Sequence, residues 1–339
     1  MLIQKSINFW GWIRLTYRHF LAIFLYTTVF VFIYYFLDLK WLSFPWQVLT
    51  VIGTAVSFYL GFKNNSAYDR MWEARKIWGA IVNSSRSWGI MVNTFINDLF
   101  QEDAKSDAET IKTIKKELIY RHIAWVFRLR RQLWQLKSWE RSARRSQRFR
   151  DVFLDNFAPL DEEEELKQHL SEEEVKQLML KKNICTQLIN HQAKALENLR
   201  KQRLIDDFRH VEMQQMLVDL YTQQGKCERI NNFPLPRQYS SFARVSVQLF
   251  NMLLPIGLVS LFDAIGPHYI WLTIPFSSLV GWIFIIFEQV GDITENPFQG
   301  LATDIPMTSL SRTIEIDLME LLDEDTVPPA IQAHNKVLM

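Results

Sequence analysis

Four stretches without a formal charge constrain this chain more than any other feature. Residues 20–37, 41–62, 245–262 and 264–287 run for 18, 22, 18 and 24 residues between charges. A bilayer core about 30 Å thick takes roughly 20 apolar helical residues to cross, and a soluble core rarely needs four uncharged stretches of that length. Pro45 stands near the entry of the second stretch, where a helix tolerates it. Only Gln248 and Asn251 interrupt the third, and the fourth carries His268 near its start and Pro275 inside. The expectation is an all-α membrane protein with four transmembrane helices. A mean hydropathy of −0.06 conceals this, because the 22% of residues that are charged crowd into the middle of the chain.

Lys5, Arg14 and Arg18 precede the first stretch, as basic residues precede the core of a signal peptide. That stretch is long for such a core, and Asp38-Leu39-Lys40-Trp41 follows where small residues would mark cleavage. It reads as a retained span. Basic residues are also distributed unevenly. Only Lys40 lies between the first two spans and none lies between the last two, whereas Lys63, Arg70, Arg75 and Lys76 open the central segment and Arg237 and Arg244 close it. The positive-inside bias then places both termini and the middle in the cytoplasm. The expected location is the inner (plasma) membrane. The expected organisation is an N-terminal segment with two spans (1–62), a helical cytoplasmic domain (63–244), two further spans (245–287) and a cytoplasmic C-terminal segment (288–339).

Apolar or small residues recur at heptad spacing just past the second span. Met71, Trp78, Ser85, Val92 and Leu99 form one row, and Ala74, Ile81, Trp88 and Phe95 the other. Such spacing suits a long helix packed on a neighbour, within the chain or across a subunit interface. No proline separates Phe62 from Phe95, so the second span is expected to continue into this helix. Farther on, Arg121, Arg128, Arg130 and Arg131 make a basic cluster, read as a solvated face with salt bridges rather than a headgroup or anion site. The Arg-rich run 138–150 and the Glu-rich run 161–175 are expected to be exposed helices of offsetting charge, with 160–166 a loop or helix start. A helical stretch over about 172–222 is followed by a break from Gly225 to Pro236. The tail after Leu322 reads as mobile.

The chemistry of catalysis is missing. A net charge of +1 gives no field for nucleic acid. Two cysteines, Cys185 and Cys227, make no disulfide framework, and they read as reduced cytoplasmic thiols. The seven histidines are scattered, with no HExxH or CxxC pairing, no phosphate loop and no nucleophile elbow. Neither an enzyme nor a cofactor nor a bound metal is expected.

A different kind of site is expected on the second span. Thr54, Phe58 and Phe62 lie at i, i+4 and i+8 and share one helical face. Copies of this helix around an axis would stack two apolar rings, a constriction that gates by dewetting. The same spacing equally suits a Phe stripe buried between helices.

The run Leu60-Gly61-Phe62-Lys63-Asn64-Asn65-Ser66-Ala67-Tyr68-Asp69-Arg70, with Trp72-Glu73-Ala74-Arg75 and Trp78-Gly79, resembles the bestrophin family in its bacterial branch. The resemblance continues in Arg121-His122-Ile123-Ala124, in Leu129-Arg130-Arg131-Gln132-Leu133 and in Cys227-Glu228-Arg229-Ile230 before Pro234 and Pro236. It returns in Glu295-Asn296-Pro297-Phe298, Asp304-Ile305-Pro306 and Arg312-Thr313-Ile314-Glu315, so it covers roughly residues 5–325. It implies a homopentamer around one central pathway for small monovalent ions, with membrane lipids as its surroundings. It also implies that Thr54, Phe58 and Phe62 form the pore neck. Thr54 departs from the more apolar residue that the family places there. A second, cytoplasmic constriction maps onto Ile230, with Phe233 as the competing choice. Animal members continue past Asn-Pro-Phe with an acidic, calcium-holding run. Here Gln299-Gly300-Leu301-Ala302-Thr303-Asp304 holds one carboxylate, and Glu295 and Asp292 add too few oxygens for a hard cation, so strong calcium activation is not expected. The sign of the permeant ion stays open. Lys63 would favour anions if it pointed at the axis, but it could equally snorkel to headgroups or pair with Asp69. The rival reading is a membrane-anchored scaffold or sensor that passes no ions.

Overall fold

The computed structural model describes residues 1, 3, 9–101, 106–135, 161–334 and 336–338. The Arg-rich run 138–150 lies outside the described residues. Helices account for the regular structure among those described, apart from short 3₁₀ turns and one isolated bridge between His334 and Val337. The chain divides into two compact units, Gln4–Met71 with Pro234–Asn296, and Met1–Ile3 with Trp72–Phe233 and Pro297–Met339.

The first unit is the membrane unit. It contains α1 (Phe9–Phe36), the first part of α2 (Trp46–Phe95), α8 (Arg237–Asp263) and α9 (Thr273–Thr294). Four helical segments are long and apolar enough to cross a bilayer. Each helix outruns its hydropathy stretch at one end at least, because a charged residue ends an apolar run without ending backbone hydrogen bonding. Thus α8 begins at Arg237, and α9 ends at Thr294 after a 3₁₀ turn at Pro267–Leu272. Pro275 falls in the first turn of α9, where its missing N–H has no partner to lose. Within the unit α1 lies along α9, and α9 along α8. Leu49, Val56 and Leu60 of α2 interlock with Val247, Phe250 and Leu254 of α8. Gly53 makes this approach possible, since a Cβ there would fall 2.9 Å from the Phe250 ring.

The second unit holds the C-terminal part of α2 together with α3 (Ala108–Trp134), α4 (Glu162–Lys167), α5 (Glu172–Met179), α6 (Ile184–Lys201), α7 (Asp207–Asn232) and α10 (Met307–Glu320). As expected, α2 is one helix without a break. Its heptad rows are used within the chain: Ala74, Trp78, Ile81, Ser85, Trp88 and Val92 are all buried. The basic cluster of α3 is paired but not solvated. Arg128 and Arg130 are buried, Arg128 meets Glu162, and Arg130 meets Glu165. Asp161 caps α4 by accepting the Glu163 amide, so the acidic run is a helix start laid over the arginines. Gly225 does not break the chain, and α7 continues through it to Asn232. No positive φ is needed there, and the stop comes from Pro234 and Pro236. The tail is engaged as well: Lys116 bonds Glu324 at 2.6 Å, and Val337 is buried.

His122 of α3 is fully enclosed between the rings of Trp88 and Trp125. Ser85 Oγ donates to the Ile81 carbonyl, so the 2.9 Å contact between them runs from the His122 Nε2–H to Ser85 Oγ. Burial pushes this imidazole down to about 3, and burial beside Arg312 pushes His169 to about 4. Between those values and the ordinary 6.5, the unfolded chain binds the protons that the folded chain refuses. The histidines' contribution to stability is therefore complete above pH 6.5 and falls as the pH drops, by up to about 1.4 kcal/mol per unit for each histidine. Buried Asp304, raised to about 7, works in the opposite direction over the same range, so the test is a difference: thermal scans of wild type and His122→Gln from pH 7 to pH 4 should show the wild-type advantage shrinking as the pH falls.

Candidate functional site

On α2, Thr54, Phe58 and Phe62 occupy one exposed face, and both phenyl rings are 66% exposed. They are not a core stripe of the chain; around them, the buried apolar positions of the helix are Leu49, Val56, Leu60 and Ala67 on the opposite side. With Gly53, Ser57, Gly61 and Asn65 they line an open, mainly apolar groove of about 750 Å³. The small residues alternate with the rings, so the phenyls project clear of the helix surface. Thr54 Oγ1 donates to the Thr50 carbonyl at 2.8 Å. Its hydroxyl is thereby turned back onto its own helix, which reduces the polar departure noted at this position.

Lys63 follows directly but points elsewhere. It is 0% exposed, and its Nζ lies 2.5 Å from Asp292 Oδ1 and 3.8 Å from Glu288 Oε1. Arg244 of α8 reaches the same two carboxylates, at 2.8 Å from Asp292 and 3.4 Å from Glu288. Two cations and two carboxylates thus close a quartet across α2, α8 and α9, and Asn64 adds a bond to the Phe287 carbonyl at 3.1 Å. Lys63 neither snorkels nor pairs with Asp69, which accepts from Asn65 instead. Its charge is neutralised within the chain.

Ile230 and Phe233 are also separated by the fold. Ile230 is 4% exposed on the core face of α7, while Phe233, just past the helix, is 70% exposed. The core spacing Met213, Leu217, Leu220, Gln224, Cys227 continues directly to Ile230, and this pattern could have assigned it inward. Glu228 beside it gathers the amides of Gln132 and Gln224 at 2.8 and 2.9 Å and of Asn183 at 3.3 Å, and Gln224 in turn accepts from the Trp125 indole. The Cys-Glu-Arg-Ile motif therefore ties α7 to α3 and α6.

Comparison with known proteins decides the family. The profile described as Bacterial/Fungal Bestrophin protein matches residues 13–320. The chain belongs to this family. Among bestrophin relatives, the voltage-dependent anion channel-forming protein YneE of Escherichia coli K12 is 26% identical over 86% of this chain and 81% of its own. The voltage-dependent anion channel-forming protein mll4386 of Mesorhizobium japonicum is 26% identical over 84% of this chain and 77% of its own. A crystal structure of a bacterial bestrophin homologue from Klebsiella pneumoniae superposes with a TM-score of 0.73 at 20% identity, covering 91% of this chain and 98% of that one. The four-span, all-α architecture is therefore a bestrophin fold.

Asp292 and Asp304, carboxylates that the resemblance sets against the calcium run of animal members, are engaged within the chain. Among the described residues no three His, Cys, Asp or Glu side chains converge to hold a metal. Asp292 is occupied by Lys63 and Arg244. Asp304 is fully buried, accepts the Leu301 amide at 3.0 Å, and is pushed up to about 7 by that burial. A carboxyl held in this way is a poor ligand for a hard cation, which requires about 6–8 oxygens. Currents recorded with calcium and with chelator on either side should coincide; activation by micromolar calcium would contradict the geometry.

Proposed function

We propose that this chain is the subunit of a homopentameric channel for small monovalent ions, set in the inner (plasma) membrane with both termini cytoplasmic. The observation that carries the reading is the face of α2. A membrane-spanning helix presents Thr54, Phe58 and Phe62 outward from its own subunit, and these are the positions that the family resemblance assigns to the neck. Five such faces around an axis would stack apolar rings, and a short apolar constriction is passable only when it is wetted.

Anions are the proposed cargo. The curated relatives are named anion channel-forming proteins, and nothing in the neck itself selects charge sign, because dehydration cost favours weakly hydrated ions of either kind. Phe233, exposed at the end of α7, is the better choice for a second constriction, and Ile230 is set aside because it faces the core. The scaffold reading loses its main support, since the central positions of the heptad rows, Ala74 to Val92, are buried within the chain.

The deciding experiment is the reversal potential of purified protein in a planar bilayer under a potassium chloride gradient. A value near the chloride equilibrium potential supports the reading. A value near that of potassium reverses the ion sign, and silence from folded, inserted protein returns the chain to the scaffold class.

A further inference from the structure

The membrane unit carries a second cavity, away from the face of α2. Between the start of α1 and the middle of α9, Ile13, Thr16, Tyr17, Phe20, Leu279 and Trp282 line a notch of about 270 Å³. Its wall is dry. A polar pair within it, the Trp282 indole N–H donating to Thr16 Oγ1, is joined at 2.9 Å, and Phe20 braces Trp282 edge-on at 6.0 Å between centroids. The volume lies just under the roughly 300–1,000 Å³ of pockets that enclose whole drug-sized ligands, so the notch fits part of a long apolar molecule.

The rim has the opposite character. Arg14 and Arg18 are both exposed on the same turns of α1. Arg18 is tied to the notch: its Nε donates to Tyr17 Oη at 3.2 Å, and its guanidinium stands 5.8 Å from the centre of the Tyr17 ring, which forms part of the lining. Trp10, 72% exposed, lies two turns earlier. Tryptophan, tyrosine and arginine in this order mark the depth where headgroups give way to hydrocarbon.

We propose that this notch is a site for an anionic phospholipid, with one acyl chain seated against Phe20, Leu279 and Trp282 and the phosphate on Arg18, with Arg14 beside it. Charge complementarity selects this occupant: an apolar slot flanked by two exposed guanidiniums matches a headgroup of net negative charge joined to a chain, whereas a zwitterionic lipid brings its phosphate together with a cation that the two guanidiniums repel. The site depends on the four spans and not on conduction, so a chain that conducts but shows no lipid preference overturns this proposal alone.

The test uses the full-length protein in detergent, titrated with dioleoyl phosphatidylglycerol or dioleoyl phosphatidylcholine and read by native mass spectrometry. One guanidinium at a membrane surface discriminates by about fivefold. Wild type should retain the phosphatidylglycerol by about that factor over the phosphatidylcholine, Arg18→Gln should remove the preference, and Leu279→Trp, which fills the slot, should weaken both lipids together. Equal retention of the two lipids by wild type overturns the proposal, as does an unchanged preference in Arg18→Gln. Undiminished binding in Leu279→Trp would place the lipid elsewhere, and displacement by soluble glycerophosphoglycerol alone would reduce the site to a phosphate contact.

Discussion

Phe58→Ala and Phe62→Ala should each raise the current at rest by about tenfold, with the double variant higher still. An apolar ring resists ions through the free energy of wetting it, and every 1.4 kcal/mol removed from that barrier is a factor of ten in rate. The stability of the subunit should hardly change. Both rings are exposed on the chain and fill no cavity within it, and substitutions away from a packed core usually stay within about 0.5 kcal/mol. This pairing of readouts separates a pore lining from a core stripe. Bilayer recordings beside thermal scans would check it, and a large loss of stability with no change in current would remove α2 from the ion path.

Lys63→Met should have the largest structural effect, a loss of about 3–5 kcal/mol. It removes the fully buried cation from beside Asp292 and Glu288, which Arg244, itself partly exposed, also reaches. Adding Asp292→Asn removes the uncompensated charge and should restore much of the stability, which a thermal scan of the single and double variants would register. The reversal potential of whatever Lys63→Met protein survives should match wild type, because the ammonium is neutralised beside its carboxylates and does not face the groove. A shift towards cations would show that Lys63 reaches the path after all.

The membrane architecture was legible because its determinants are local. Charge-free length names a span, and the absence of proline between Phe62 and Phe95 allows one helix to continue. The face Thr54, Phe58, Phe62 follows from i, i+4 spacing, although spacing could not say whether the face looked inward or outward. The quartet was not legible, because Lys63 and Asp292 are 229 positions apart. The nearby carboxylate, Asp69, was the only partner that local reading could offer. The arginines of α3 misled in the same way: a basic run reads as solvated until the acidic helix that covers it is folded into place. Gly225 misled for a different reason. Glycine weakens a helix but stops one only where the backbone turns left-handed, and here it does not.

The quartet also bears on how this protein could respond to an electric field. Lys63 and Arg244 against Glu288 and Asp292 sum to zero, so moving the cluster as a body along the membrane normal transports no net gating charge. A lone elementary charge crossing the same field would gain or lose about 2.3 kcal/mol per 100 mV. The four uncharged stretches offer no such lone charge. If opening proves sensitive to potential, the work falls on the permeating ions or on charges outside these stretches, such as Arg14 and Arg18 near the start of α1.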